Sequence, residues 1–201
     1  MKFGLNHESS SMRFPLLILS LLILTSCARQ VSRIDPSQQI DLSGRWNDSD
    51  SRQVAKKMTA ELLNSTTFKE YANTLGKKPA IIVGQISNRT SEHIDANNYI
   101  KKFEVSIFDS GLADLVESEE FRDKLRLERA QQQDFADPAT MAQWGKELGA
   151  NLMLFGEMTS ETDLANKSRV VNYVTTLFLT DMETNKRIWY GQHEIKKYIK
   201  N

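Results

Sequence analysis

Apolar residues gather first in one dense run, Phe14–Leu24, and thereafter in short periodic stretches separated by polar segments. At about a dozen residues the first run is too short for a membrane span, which needs about 20. Lys2 and Arg13 precede it and Thr25-Ser26 close it, so residues 1–26 read as an export signal and are set apart from the fold. Met12-Arg13 alone would make a sufficient charged start, which makes residues 1–11 dispensable to that reading. Residues 28–45 are polar, contain only Pro36 as a rigid point and show no period; with Cys27 they form a tether, residues 27–45, ahead of a domain spanning 46–201.

Within that domain Val54, Met58 and Leu62 recur every four residues, with Ala55 and Leu63 beside them. The spacing predicts an amphipathic helix over 49–64, N-capped by Asp48 or Ser49. After Pro79, Ala80–Ile86 is a β-branched run between turn signals, a buried strand, and residues 87–91 follow as a polar loop. Asp95 can cap a helix over 96–109 whose stripe is Tyr99, Ile100, Phe103, Ile107 and Phe108, stopped by Gly111. Leu112–Glu117 is a second strand candidate, which makes a parallel βαβ unit with a right-handed crossover. A charged helix runs from Ser118 to about Asp134, with Phe121 and Leu125 on one face. Asp137-Pro138 opens a further helix that turns Met141, Gly145 and Leu148 inward and ends at Gly149. Leu152–Gly156 is a third strand. Val170–Thr180 and Arg187–Glu194 form an antiparallel hairpin across residues 182–186, with Asn185 at positive φ. The pattern is α-β-α-β-α-α-β-β-β: one α/β domain, a mixed sheet with a parallel βαβ core and a C-terminal antiparallel hairpin, with helices packed on it.

Charge changes this picture little. The chain has 26 basic and 26 acidic side chains. Losing residues 1–26 removes Lys2, Arg13 and Glu8 and leaves the balance one charge to the acidic side, against any nucleic-acid partner, which would call for a basic excess. The sole cysteine is Cys27, so with that side chain occupied no thiol remains for disulfides, metals or catalysis. His7 goes with the signal; His93 in a loop and His193 on the last strand have no second ligand at metal spacing. Asp48 and Asp50 lack the glycine and terminal glutamate of a calcium loop and read as helix-start acids. No nucleophile elbow, phosphate loop or Ser-x-x-Lys stands in the needed context. Acid pairs such as Glu119-Glu120 and Glu157/Glu161 read as solvated surface. No catalytic residue, metal or cofactor is expected. Trp189 and Tyr190 are neighbours on a strand and point to opposite faces, one into the core and the other outward as a candidate contact. Trp46 reads as a staple for the first helix.

Two resemblances add to the residues. Leu24-Thr25-Ser26-Cys27, ending the apolar run, resembles the bacterial lipobox, which implies cleavage before Cys27 and acyl chains on it. Two or three chains, at about 0.8 kcal/mol per buried CH₂, hold a protein on a bilayer. Ala28 after the cysteine, rather than Asp, implies the outer membrane by analogy with enterobacterial sorting. The second resemblance lies in the domain. DLSGRWND (41–48), IIVGQISNRTSEHIDANNY (81–99), LGANLMLFGEMT (148–159) and TTLFLTDMETNKRIWYGQ (175–192) are similar, in order and spacing, to LpoB-like lipoproteins. Asn185 stands where that family often has glycine. The resemblance implies a fold like the N-terminal domain of the TolB translocation protein. It also implies regulation of a bifunctional class A penicillin-binding protein, a peptidoglycan synthase, by contact and without chemistry of its own. Candidate contacts are Asn88, Arg89 and Thr90 in the loop after the first strand, with Trp189 or Tyr190; the rival role for Asn88 and Thr90 is to tie that loop together. The alternative function is a structural or assembly lipoprotein of a secretion or flagellar complex on the same fold.

Overall fold

A computed structural model describes residues 30–142 and 146–200. They divide into two units, residues 30–38 and the domain from Gln39 onward. In the first, Asp35 and Pro36 open a tight turn: the Asp35 carboxylate accepts the Ser37 amide and hydroxyl at 2.7 and 2.6 Å.

Among the described residues the domain contains four helices and five strands. They are α1 Asp48–Asn64, α2 Thr66–Leu75, β1 Ala80–Asn88, α3 Ala96–Ser110, β2 Asp114–Leu115, α4 Glu119–Phe135, β3 Leu152–Ala165, β4 Ser168–Asp181 and β5 Arg187–Lys200. They build one mixed curled sheet in the order β2-β1-β3-β4-β5. β1 is parallel to both β2 and β3, whereas β3, β4 and β5 are antiparallel in turn. The parallel core and the C-terminal hairpin are therefore as expected. The last two turns need positive φ, at Asn166 (55°) and Asn185 (59°), and asparagine tolerates both.

Alternation sets the core. On β4, Val171, Tyr173, Thr175, Leu177 and Leu179 are buried while their neighbours are only half covered. They meet Ile81, Val83, Leu152, Leu154 and Met158 on the same sheet face, and Val54, Met58, Leu62, Tyr99, Phe103 and Ile107 from α1 and α3. α3 lies on β1 and β2, and α1 and α2 lie on β5. In β5 the register slips by one residue, opposing Leu179 with Trp189 and Thr180 with Arg187, so Ile188 is a bulge and both Ile188 and Trp189 reach the core side.

Several expectations are corrected. The N-cap of α1 is Asn47, one residue before Asp48 and two before Ser49. Its side chain accepts the Asp50 amide while the Asp50 carboxylate accepts the Asn47 amide, a reciprocal capping box. Phe108 leaves the α3 stripe and is 72% exposed, because Tyr99, Phe103 and Ile107 at four-residue spacing already fill the buried face. The second strand shrinks to Asp114–Leu115. After Pro138 no helix forms among the described residues: the Asp137 carboxylate accepts the Ala139 amide within an isolated turn, and Leu148 is exposed. Gly145 lies outside the described residues. Unforeseen were α2, started by the Ser65 hydroxyl, and the full lengths of β3 and β5. Asp41 and Arg45, assigned by sequence to the tether, are bonded to β5 instead.

Candidate functional site

Asn88 ends β1, and its side chain works inward on its own loop. Asn88 Nδ2 donates to the Glu92 carbonyl at 2.8 Å, and Asn88 Oδ1 accepts the Thr90 amide at 3.0 Å and its hydroxyl at 2.7 Å. Thr90 Oγ1 accepts the Glu92 amide in turn, at 3.2 Å. Asn88 and Thr90 therefore tie the loop. What they fix is Glu92. Its two carboxylate oxygens accept the Trp46 amide at 3.0 Å and the Tyr173 hydroxyl at 2.7 Å. Burial, and after it the Glu92 carboxylate, raises the Tyr173 pKa above the ordinary phenol value. The Trp46 ring stands edge-on to Tyr99 and Tyr173, with centroids 5.8 and 5.4 Å away, and its indole N–H donates to Ser51 Oγ at 2.7 Å. Trp46 thus anchors the start of α1, as its position suggested.

Arg89 points the other way. Its amide donates to the Met158 carbonyl at 2.7 Å, continuing the sheet, while its guanidinium pairs with Glu157 at 2.9 Å and is 68% exposed. Glu157 and Phe155 are two apart on β3 and share the sheet face turned away from the core. Phe155, Phe178 and Tyr190 are register partners across β3, β4 and β5. Their rings form a ladder with centroids 5.6 and 5.4 Å apart, and the Arg187 guanidinium lies 4.1 Å over Phe178. Tyr190 is 53% exposed. The structure therefore brings Arg89 and Tyr190 to one face, bounded by a second arginine and floored by aromatic rings. Trp189 is turned to the opposite face and packs on the core, with its indole over Gly191.

Lys197 and Asp181 centre two further clusters, both tied to other parts of the domain. Lys197, on the core side of β5, donates to Asp41 and Asp50 at 2.5 Å each and to the Arg45 carbonyl at 2.9 Å. Burial pulls its pKa down, but the two carboxylates outweigh that and leave it raised. Asp181 accepts the Thr184 hydroxyl and amide and the Tyr71 hydroxyl, which hold its carboxyl at about 2. His193 is half-buried, and burial followed by the Lys57 charge lowers its pKa. His93 is exposed. Among the described residues no three His, Cys, Asp or Glu side chains gather as a metal site would require, and no helix is long and apolar enough to cross a membrane. Cys27 lies outside the described residues.

The model of the family described as peptidoglycan-synthase activator LpoB matches residues 50–195. The chain belongs to the LpoB family. The match runs from the first turn of α1 to beyond the middle of β5 and so takes in all nine elements described above in whole or in part. No curated protein sequence matches. Among solved structures, the LpoB C-terminal domain from Salmonella enterica is similar at 16% identity and TM-score 0.43, covering 73% of this chain and 98% of that one. The LpoB C-terminal domain from Escherichia coli gives 16% identity and TM-score 0.41, covering 76% and 99%. Lipoprotein GNA1162 from Neisseria meningitidis gives 13% and 0.35, covering 60% and 83%. The LpoB-like resemblance met in the sequence thus holds over residues 50–195, and the family description is that of an activator rather than of an enzyme.

Proposed function

We propose that this protein is an envelope lipoprotein that activates a bifunctional class A penicillin-binding protein by surface contact. The family match over residues 50–195 carries the reading. The exposed sheet face supports it: Arg89 and Arg187 supply directional cations, and Tyr190 on its aromatic ladder supplies a large, rigid apolar contact, the residue types that dominate protein interfaces. In this reading Cys27 carries the acyl chains and holds the domain on the periplasmic side of the outer membrane. The protein needs no cofactor for that task.

A reconstituted assay of glycan polymerisation and cross-linking, with the synthase in detergent and the full chain added, tests the proposal. Both rates are expected to rise. Arg89→Ala combined with Tyr190→Ala is expected to weaken the stimulation at least tenfold in the concentration needed, because two interface anchors of about 1–2 kcal/mol each are removed. Unchanged rates with the full chain would remove the synthase from the account. The anchor is tested separately: Cys27→Ser is expected to move the protein from the outer-membrane fraction to the soluble periplasm, and retention in the membrane would discard the lipid hook.

A further inference from the structure

On the far side of the helix layer a groove of about 980 Å³ runs between α1 and α3. Two stripes line it. α1 contributes Arg52, Lys56 and Leu63 at helical spacing, α3 contributes Lys101 and Val105, and Leu112 lies just beyond the Gly111 cap of α3. Small side chains, Ala60 and Ser106, form the middle of the floor. Val105 is 58% exposed and Leu112 50%, and Phe108, on the solvent side of the same helix, is 72% exposed. Three exposed large apolar side chains within eight residues mark a contact surface.

The groove is charged at one end. Arg52, Lys56, Lys101 and Lys102 converge there. Asp48 is shared between Arg52 and Lys102, and Glu104 pairs with Lys101 at 2.6 Å. Lys56 has no ion pair among the described residues, and four cations meet two carboxylates. Lys124 and Glu120 of α4 approach Lys101 around the Phe121 ring but neutralise each other at 2.6 Å. Burial, and after it the Arg52 charge, lowers the Lys102 pKa, as expected where cations crowd without enough anions. Asp109 faces the opposite end.

We infer that the groove between α1 and α3 receives an acidic amphipathic helix of a partner protein. The length from Arg52 to Asn64, about 18 Å at 1.5 Å per residue, takes about three turns of such a helix. Its apolar stripe lies on Ala60, Val105 and Leu112, and its carboxylates reach Lys56 and Lys101, completing a three-helix layer. Concavity selects a protein segment over a bilayer, since a flat lipid surface cannot fill a cleft between two helices. The chain's own tether does not fit, because residues 28–38 carry Arg29 and Arg33 against Asp35 alone. The surface is separate from the aromatic sheet face, and the inference holds whichever protein that face engages.

The test uses the full-length chain in its own envelope, with p-benzoyl-phenylalanine in place of Val105. Irradiation is expected to give a protein adduct whose cross-linked peptide, sequenced by mass spectrometry, is rich in Asp and Glu on one helical face and apolar on the other. Lys56→Glu with Lys101→Glu is expected to reduce that adduct at least tenfold, while Lys56→Arg with Lys101→Arg retains it. Unchanged circular dichroism and melting of the charge-reversed chain, both positions being exposed, ties the loss to recognition rather than unfolding. The proposal is overturned by no protein adduct, by an adduct to lipid, to a second copy of this chain or to a segment without an acidic excess, or by an adduct that survives the charge reversal in the folded chain.

Discussion

At Lys197 one buried ammonium from the last strand pairs with two carboxylates from the start of the domain: Asp41 before α1 and Asp50 in its first turn. Asp50 is 2% exposed, so Lys197→Met leaves a buried anion without its counter-charge. Breaking such a pair from one side costs about 3–5 kcal/mol, and equilibrium urea unfolding at pH 7 is expected to show a loss of that order. The pH dependence follows from the directions of the shifts. Lys197 is raised, so its contribution is complete below the ordinary lysine value of about 10.4 and is lost as pH climbs through the higher folded value. Asp41 is lowered, chiefly by the Lys197 hydrogen bond, so its contribution is present above about 3.9 and fades as pH falls. The latch therefore holds throughout the neutral range. Asp181 supplies a sharper acid test. Its folded pKa of about 2, against about 3.9 unfolded, corresponds to roughly 2 kcal/mol of stability present above pH 4 and lost between about pH 4 and 2. Asp181→Asn is expected to lower the urea midpoint at pH 7 and to flatten its acid dependence over that interval; an equally steep fall in the variant would place the acid sensitivity elsewhere.

Among the elements, the strands hold a packing device that can be tested apart from charge. Gly191 follows Trp189 by two residues on one face of β5, and a methyl group there would lie 2.0 Å from the indole ring. Gly191→Ala is expected to cost about 1–3 kcal/mol by overpacking and to shift Trp189 fluorescence to the red as the ring is pushed off the core. An unchanged spectrum would show that the indole does not rest on that glycine. Elements of this kind differ in how far they were legible. α1, β1, α3 and the β4–β5 hairpin could be read because each carries its own period and a cap or turn residue: Asp95 and Gly111 around α3, Asn185 in the hairpin. α2 was missed because it buries only Phe68, leaving no stripe to see. β3 and β5 extend beyond their legible cores because polar and charged residues, Thr159–Asp163 and Lys196, Lys197 and Lys200, mask the alternation, and a buried lysine such as Lys197 carries no apolar signal. A helix was expected after Asp137-Pro138 because that pair is a sound start signal, yet a start signal without a buried stripe to follow yields only a turn. That Arg89 and Tyr190 share a face depends on strand order and on a bulge at Ile188, neither of which a local pattern encodes. The Asn88 and Thr90 side chains, by contrast, had their loop-tying role written in their residue types.

For the whole molecule, the bonds from Lys197 to Asp41 and Arg45 fix where the domain begins and so how much chain is left to span the distance from the anchor. Residues 28–45 fully extended would reach about 60–65 Å, but with the domain starting at Gln39 the sequence between Cys27 and the domain is residues 28–38, which can span at most about 35–40 Å. On the function proposed above, an activator held by lipid on so short a leash would work only on a synthase domain that comes within that reach, and its activity on the membrane would depend on tether length more than on tether sequence. Deleting residues 30–38 is accordingly expected to leave stimulation in detergent solution unchanged, since every residue of the domain and of the Arg89–Tyr190 face remains. The same deletion is expected to abolish complementation of a strain that depends on the protein, because the domain is then held against the bilayer. Replacing the deleted stretch with nine Gly/Ser residues restores a flexible span of similar length and is expected to restore growth. Complementation by the deleted form would mean that the partner reaches the membrane surface itself, and failure of the Gly/Ser replacement would mean that the segment is recognised for its sequence.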